Sequence, residues 1–114
     1  MSRKEKILAM LADSPEDTFL RYSLAMELRS EADHEASLSK LAELIAKKPP
    51  FVAAFFMSAQ QLVQLGRIDE ARTLLRDGID QARQQDDAHA AAEMGELLTS
   101  LGALGEADDD DDEL

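Results

Sequence analysis

The chain has 114 residues, of which 45% are hydrophobic, 32% charged and only 4% aromatic, with no Trp and no Cys. This bounds it to one domain with a core of Leu, Ala, Ile and Met, a helix-favouring set, and excludes a disulfide framework and thiol chemistry. A net charge of −12 without a basic cluster argues against nucleic-acid binding, and no apolar run approaches the roughly 20 residues that span a bilayer.

Six helical segments are predicted. Ser2 and Glu5 form a capping box ahead of Ile7, Leu8, Met10 and Leu11, which share one helix face. The stretch is too short and interrupted for a signal peptide. Ser14-Pro15-Glu16-Asp17 marks a second start, read as a capping Ser, a first-turn Pro and acids facing the helix dipole. That helix is expected to run to about Ser30, with Phe19, Tyr22, Ala25, Met26 and Leu28 as apolar positions. Asp33 caps a third helix carrying Ala36, Leu38, Leu41, Leu44 and Ile45, stopped by Pro49-Pro50. A fourth spans about Phe51 to Leu65 and ends at Gly66, a residue suited to the left-handed turn conformation. Ile68, Ala71, Leu74, Leu75, Ile79 and Ala82 mark a fifth. The sixth starts near Asp86-Asp87 and carries Ala91, Met94, Leu97, Leu98 and Leu101.

The last residues differ in kind. Glu106, Asp108 to Asp112 and Glu113 supply 7 of the 24 acids, leaving 17 acids against 12 bases in residues 1–105. A block of like charge cannot bury surface, so residues 104–114 are expected to be a disordered acidic tail. It reads either as a solubilising extension or as a steering arm that attracts a basic partner or covers Arg3, Lys4 and Lys6.

The segments recur at a spacing of 34 residues. Pro15 recurs as Pro49, and Ile7, Met10 and Leu11 as Leu41, Leu44 and Ile45, with Leu75 and Ile79 following. Tyr22, Ala25, Leu28 and Ala32 recur as Phe56, Ala59, Leu62 and Gly66. A fixed period of this length signals stacked supersecondary units that mostly hold partners, and linkers of two to four residues make neighbouring helices antiparallel.

The arrangement resembles the tetratricopeptide repeat family, whose unit is two antiparallel helices in 34 residues. Phe55, Ala59, Leu62, Gly66, Ala71, Leu75, Gly78 and Ile79 follow the family pattern in one unit; Leu24, Ala25, Leu28, Ala32, Ser37, Leu41, Leu44, Ile45 and Pro49 follow it in the other. Arg21 stands in place of a large aromatic, Ala32 in place of the turn Gly, and Arg83 in place of a closing Pro. The resemblance implies an all-α fold, a right-handed α-solenoid of antiparallel helix hairpins with about six helices. Its repeat domain covers 1–103, with a half unit at 2–15, units at 16–49 and 50–83, and a capping helix at 86–103.

By resemblance, ligands lie in a concave groove lined by the first helix of each unit. Carried over by position, the lining is Phe19, Tyr22, Met26 and Arg29, then Phe56, Met57, Gln60 and Val63, with Met94 from the sixth helix. Such a groove implies a protein or peptide partner met mainly through apolar contact. Some family members hold a terminal carboxylate with Lys, Asn and Arg; this chain has no Asn, and its matching positions hold Tyr22, Met26 and Met57. His34 and His89 have no carboxylate pair at i, i+3 or i+4 that would make a zinc set, so neither a metal nor another cofactor is expected. No nucleophile triad or phosphate loop appears, so no enzyme is expected. The reading is therefore a cytoplasmic binding adaptor. Its alternative is a structural unit that self-associates into a homo-oligomer through its terminal helices.

Overall fold

The computed structural model describes residues 1–103, so the acidic segment 104–114 lies outside the described residues. Six α-helices follow in order: α1 (Arg3–Asp13), α2 (Thr18–Ser30), α3 (His34–Ile45), α4 (Val52–Gln64), α5 (Ile68–Gln84) and α6 (Ala88–Ser100), then a short 3-10 turn, Leu101–Ala103. No strand occurs among the described residues. The chain forms two compact units that divide within α4, Met1–Ala54 and Phe55 onward.

In the first unit the N-terminal capping box forms. The Ser2 hydroxyl accepts the Glu5 amide at 3.1 Å, and the Glu5 carboxylate accepts the Ser2 amide at 2.8 Å. That bond to the Ser2 backbone, followed by the Ser2 hydroxyl, holds the Glu5 carboxyl below its usual range. The second start differs from expectation. Asp17, not Ser14, caps α2, its carboxylate accepting the Leu20 amide at 2.9 Å. Ser14 instead ends α1, because its amide is still bonded to the Met10 carbonyl at 3.0 Å. Asp33 caps α3 as expected, and α4 starts and ends one residue inside its predicted span.

The α2–α3 hairpin turns through Ala32 at φ 63°. The Ala32 amide donates to the Arg29 carbonyl and the Asp33 amide to the Leu28 carbonyl, both at 2.9 Å, so orphan carbonyls at the end of α2 are satisfied. Ile7, Leu24 and Leu28 form a buried cluster with Leu11 and Ala36 packed on it. Ala25, Leu41 and Leu44 are fully buried. Ala25 and Ser37 are small where α2 and α3 approach, and the Ser37 hydroxyl donates to the Ala25 carbonyl at 2.7 Å. Burying each Leu or Ile contributes about 1.5–3 kcal/mol, so this core outweighs the exposed ion pairs around it, worth about 0–1 kcal/mol each.

The second unit repeats the turn geometry twice. Gly66 has φ 77° and Asp86 φ 60°; the amides that follow, of Arg67 and Asp87, donate back to Leu62 and Ala82 carbonyls at 2.8 and 2.7 Å. Asp87 then caps α6 by accepting the Ala90 amide at 3.1 Å. At Gly78 a Cβ would lie 2.6 Å from both the Met94 sulfur and the Phe55 Cβ. Only glycine lets α4 and α6 side chains come this close over α5. Buried Arg72 donates to the Leu101 carbonyl at 2.6 Å and to the Asp69 carboxylate at 3.1 Å, tying α5 to the end of α6.

Candidate functional site

On α2, the residues at i, i+3, i+7 and i+10 starting from Phe19 lie along one side because 3.6 residues make a turn. They are Phe19, Tyr22, Met26 and Arg29. Opposite them, Leu24, Ala25 and Leu28 go into the core. Phe19 is 71% exposed, while Tyr22, Met26 and Arg29 are half-buried. Tyr22 is held by an edge-on contact with Phe51, ring centroids 5.3 Å apart and planes at 73°. Phe51 is itself fixed at the end of the Pro49-Pro50 connection, where its amide donates to the Leu44 carbonyl at 3.0 Å. Burial pushes the Tyr22 phenol above its usual ionisation range, with the nearby Arg29 charge acting weakly the other way. Lys47 donates to the Thr18 hydroxyl at the start of the same stripe.

The second unit presents a comparable face on α4. Phe55, Ser58, Ala59, Gln61 and Leu62 are buried, whereas Phe56, Met57, Gln60 and Val63 are only partly covered. Met94 departs from expectation. It is fully buried against Gly78, so its side chain belongs to the core of the second unit and offers nothing to a partner. The physical reason is the missing Cβ of Gly78, which leaves a recess that the unbranched Met side chain fills.

Phe51 and Arg72 were not singled out as site-supporting residues by sequence reasoning. The signal for Phe51 was its position just after two prolines, which ends the connection rigidly before α4. Arg72 carries no such signal, since an Arg in a charged helix reads as a surface residue.

Arg21 and Glu43 mark a separate pocket of about 240 Å³ among α1, α2 and α3, lined also by Leu11, Pro15, Glu16, Leu24 and Lys40. Arg21 stands where a large aromatic was expected, and its guanidinium donates to Glu43 at 2.8 Å and lies 3.7 Å from Glu16. That bond holds the Glu43 carboxyl below its usual range. With its cations already facing carboxylates, the pocket is chiefly a joint between hairpin helices.

The tetratricopeptide repeat family model matches residues 28–95, more than half of the chain. The chain belongs to the tetratricopeptide repeat family. A solution structure of a tetratricopeptide repeat domain protein from Salinibacter ruber is similar at 27% identity and a TM-score of 0.74, covering 79% of this chain and 91% of that one. A protein of Bordetella parapertussis shares the fold at 23% identity and a TM-score of 0.78, covering 94% and 96% of the two chains. No curated protein matches the chain. Membership fixes the fold class as an all-α helical-repeat solenoid, a class of scaffold that generally serves protein interaction rather than catalysis. Among the described residues no helix is long and apolar enough to cross a membrane.

Proposed function

We propose that this tetratricopeptide repeat chain is a non-catalytic adaptor that holds a protein or peptide on the uncovered faces of α2 and α4. The supporting observation is the character of those faces. Phe19 stands largely in solvent, and Tyr22, Met26, Phe56, Met57 and Val63 are only partly covered, although each helix has already buried a full opposite side. Aromatic and Met side chains give large contact area at low ordering cost, and they dominate binding energy where they are enclosed by a partner. The absence of Cys supports a cytoplasmic setting.

The test is a pull-down from source lysate with wild type and a Tyr22→Ala, Met26→Ala, Phe56→Ala variant, after circular dichroism shows both to be helical. Retention by wild type and loss by the variant supports the adaptor. Equal recovery by both removes these faces from the function.

Self-association through a terminal helix is the second reading, and one observation favours it: Leu8 and Met10 of α1 are 44% and 48% exposed. On the same helix, Arg3 and Lys4 pair with Glu27 and Glu31 of α2 at 3.1 and 3.0 Å. Sedimentation over a concentration series separates the readings, because only self-association makes the mass rise with concentration.

A further inference from the structure

Charge is divided unevenly along the chain. Residues 1–54 hold 9 acids and 8 bases, whereas residues 55–114 hold 15 acids and 4 bases. The eight acids between Phe55 and Ala103 are all exposed; of the four bases there, Arg76 and Arg83 are exposed, Arg67 pairs with Glu70, and Arg72 is buried against Asp69 and the Leu101 carbonyl. Yet the helix at the head of this acidic half is uncharged. From Phe51 to Gly66 there are sixteen residues without one Asp, Glu, Lys or Arg, in a chain that is 32% charged. A helix face left to water normally carries charged residues. The uncovered face of α4 carries Phe56, Met57, Gln60, Val63 and Gln64 instead.

We infer that this face takes one α-helix of a partner protein, amphipathic, apolar where it meets α4 and net positive on its remaining surface. The inference rests on the adaptor reading and names its occupant. The choice of a helix follows from hydrogen bonding. An extended peptide lying here would need partners for its own amides and carbonyls, and the polar side chains of the face are the amides of Gln60 and Gln64. A helix satisfies its backbone internally and needs only an apolar stripe at i, i+3, i+4 and i+7 to meet Phe56, Met57 and Val63. The positive sign follows from complementarity. A helix whose outer side is basic is drawn to a half-chain with 15 acids against 4 bases, and one whose outer side is acidic is repelled by it.

The experiment selects random display peptides of about 16 residues, roughly four helical turns, on the full chain. Enriched peptides are then titrated by fluorescence anisotropy against wild type, Gln60→Lys and Val63→Glu. Gln60 is half-exposed, so Gln60→Lys keeps the fold even if Val63→Glu does not, as circular dichroism checks. The expected peptides become helical on binding, carry an apolar stripe at helical spacing and are net positive. Gln60→Lys should weaken them by about tenfold or more, and raising salt from about 50 to 500 mM should weaken them further. Enriched peptides that are acidic, or extended and proline-rich, but still lose affinity in Gln60→Lys would overturn the basic helix and leave the adaptor standing. Peptides indifferent to both α4 variants, or no enrichment at all, would overturn the inference and remove α4 from the adaptor reading as well.

Discussion

Exchanging the turn residues Ala32 and Gly66 should move stability in opposite directions. Both sit at the left-handed position after a helix, at φ 63° and 77°, in turns closed by the same backward hydrogen bonds. An L-residue pays about 1–2 kcal/mol to hold that conformation, and glycine pays nothing there but gives up about 0.4–1 kcal/mol through the freer unfolded chain. The net is about 0.5–1 kcal/mol in favour of glycine at either site. Space does not complicate the comparison, because a Cβ on Gly66 would meet no atom within 4 Å. Gly66→Ala should therefore destabilise by about 0.5–1 kcal/mol and Ala32→Gly should stabilise by a similar amount, with the double exchange near wild type. At about 4–8 °C per kcal/mol for a domain of this size, thermal melts followed by circular dichroism resolve the difference. A lower melting temperature for Ala32→Gly would refute the turn geometry on which the hairpin description depends.

Three further outcomes are expected. Gly78→Ala should cost about 1–3 kcal/mol by chemical denaturation, because its Cβ would meet the Phe55 Cβ, which cannot swing aside as a side-chain tip can. Arg72→Met keeps the apolar stem but loses the bond to the Leu101 carbonyl, so it should cost about 1.5–3 kcal/mol and speed amide exchange at the end of α6. Tyr22 is the sole tyrosine, so phenolate absorbance at alkaline pH reports it alone; it should ionise above the usual value of 10.0 when folded and return to that value in denaturant. Because the folded value is the raised one, this stabilising contribution is complete below the unfolded value and is lost as pH rises through the folded one.

The regular part of the fold was legible because it repeats. Period, caps and turn signals occur at fixed offsets, and local hydrogen bonds at Ser2, Asp33 and Asp87 are formed by neighbours in sequence. The Ser14 and Asp17 reading failed because two capping residues stand three apart, and which one caps depends on where α1 releases the chain. Asp86 at positive φ was foreshadowed only by the tolerance of Asp for that region. The α2 and α4 faces were carried over by position from the family resemblance, and Met94, carried over with them, lies buried instead. Its burial depends on Gly78, sixteen residues earlier on another helix, and no local pattern states which residues from two helices share one recess. Arg72 was hidden for the same reason, since its acceptor lies beyond the end of α6.

The most direct test of the adaptor places a photo-crosslinking amino acid at Phe19, at Met57 and, as a control, at Asp80 on the exposed side of α5, in cells of the source organism. Each side chain is at least partly open to solvent, so the substitutions leave the core intact. Adducts with a discrete partner from Phe19 and Met57, absent from Asp80, are the expected result. Adducts from Asp80 alone, or equally from all three positions, would contradict the assignment of partner binding to the faces of α2 and α4.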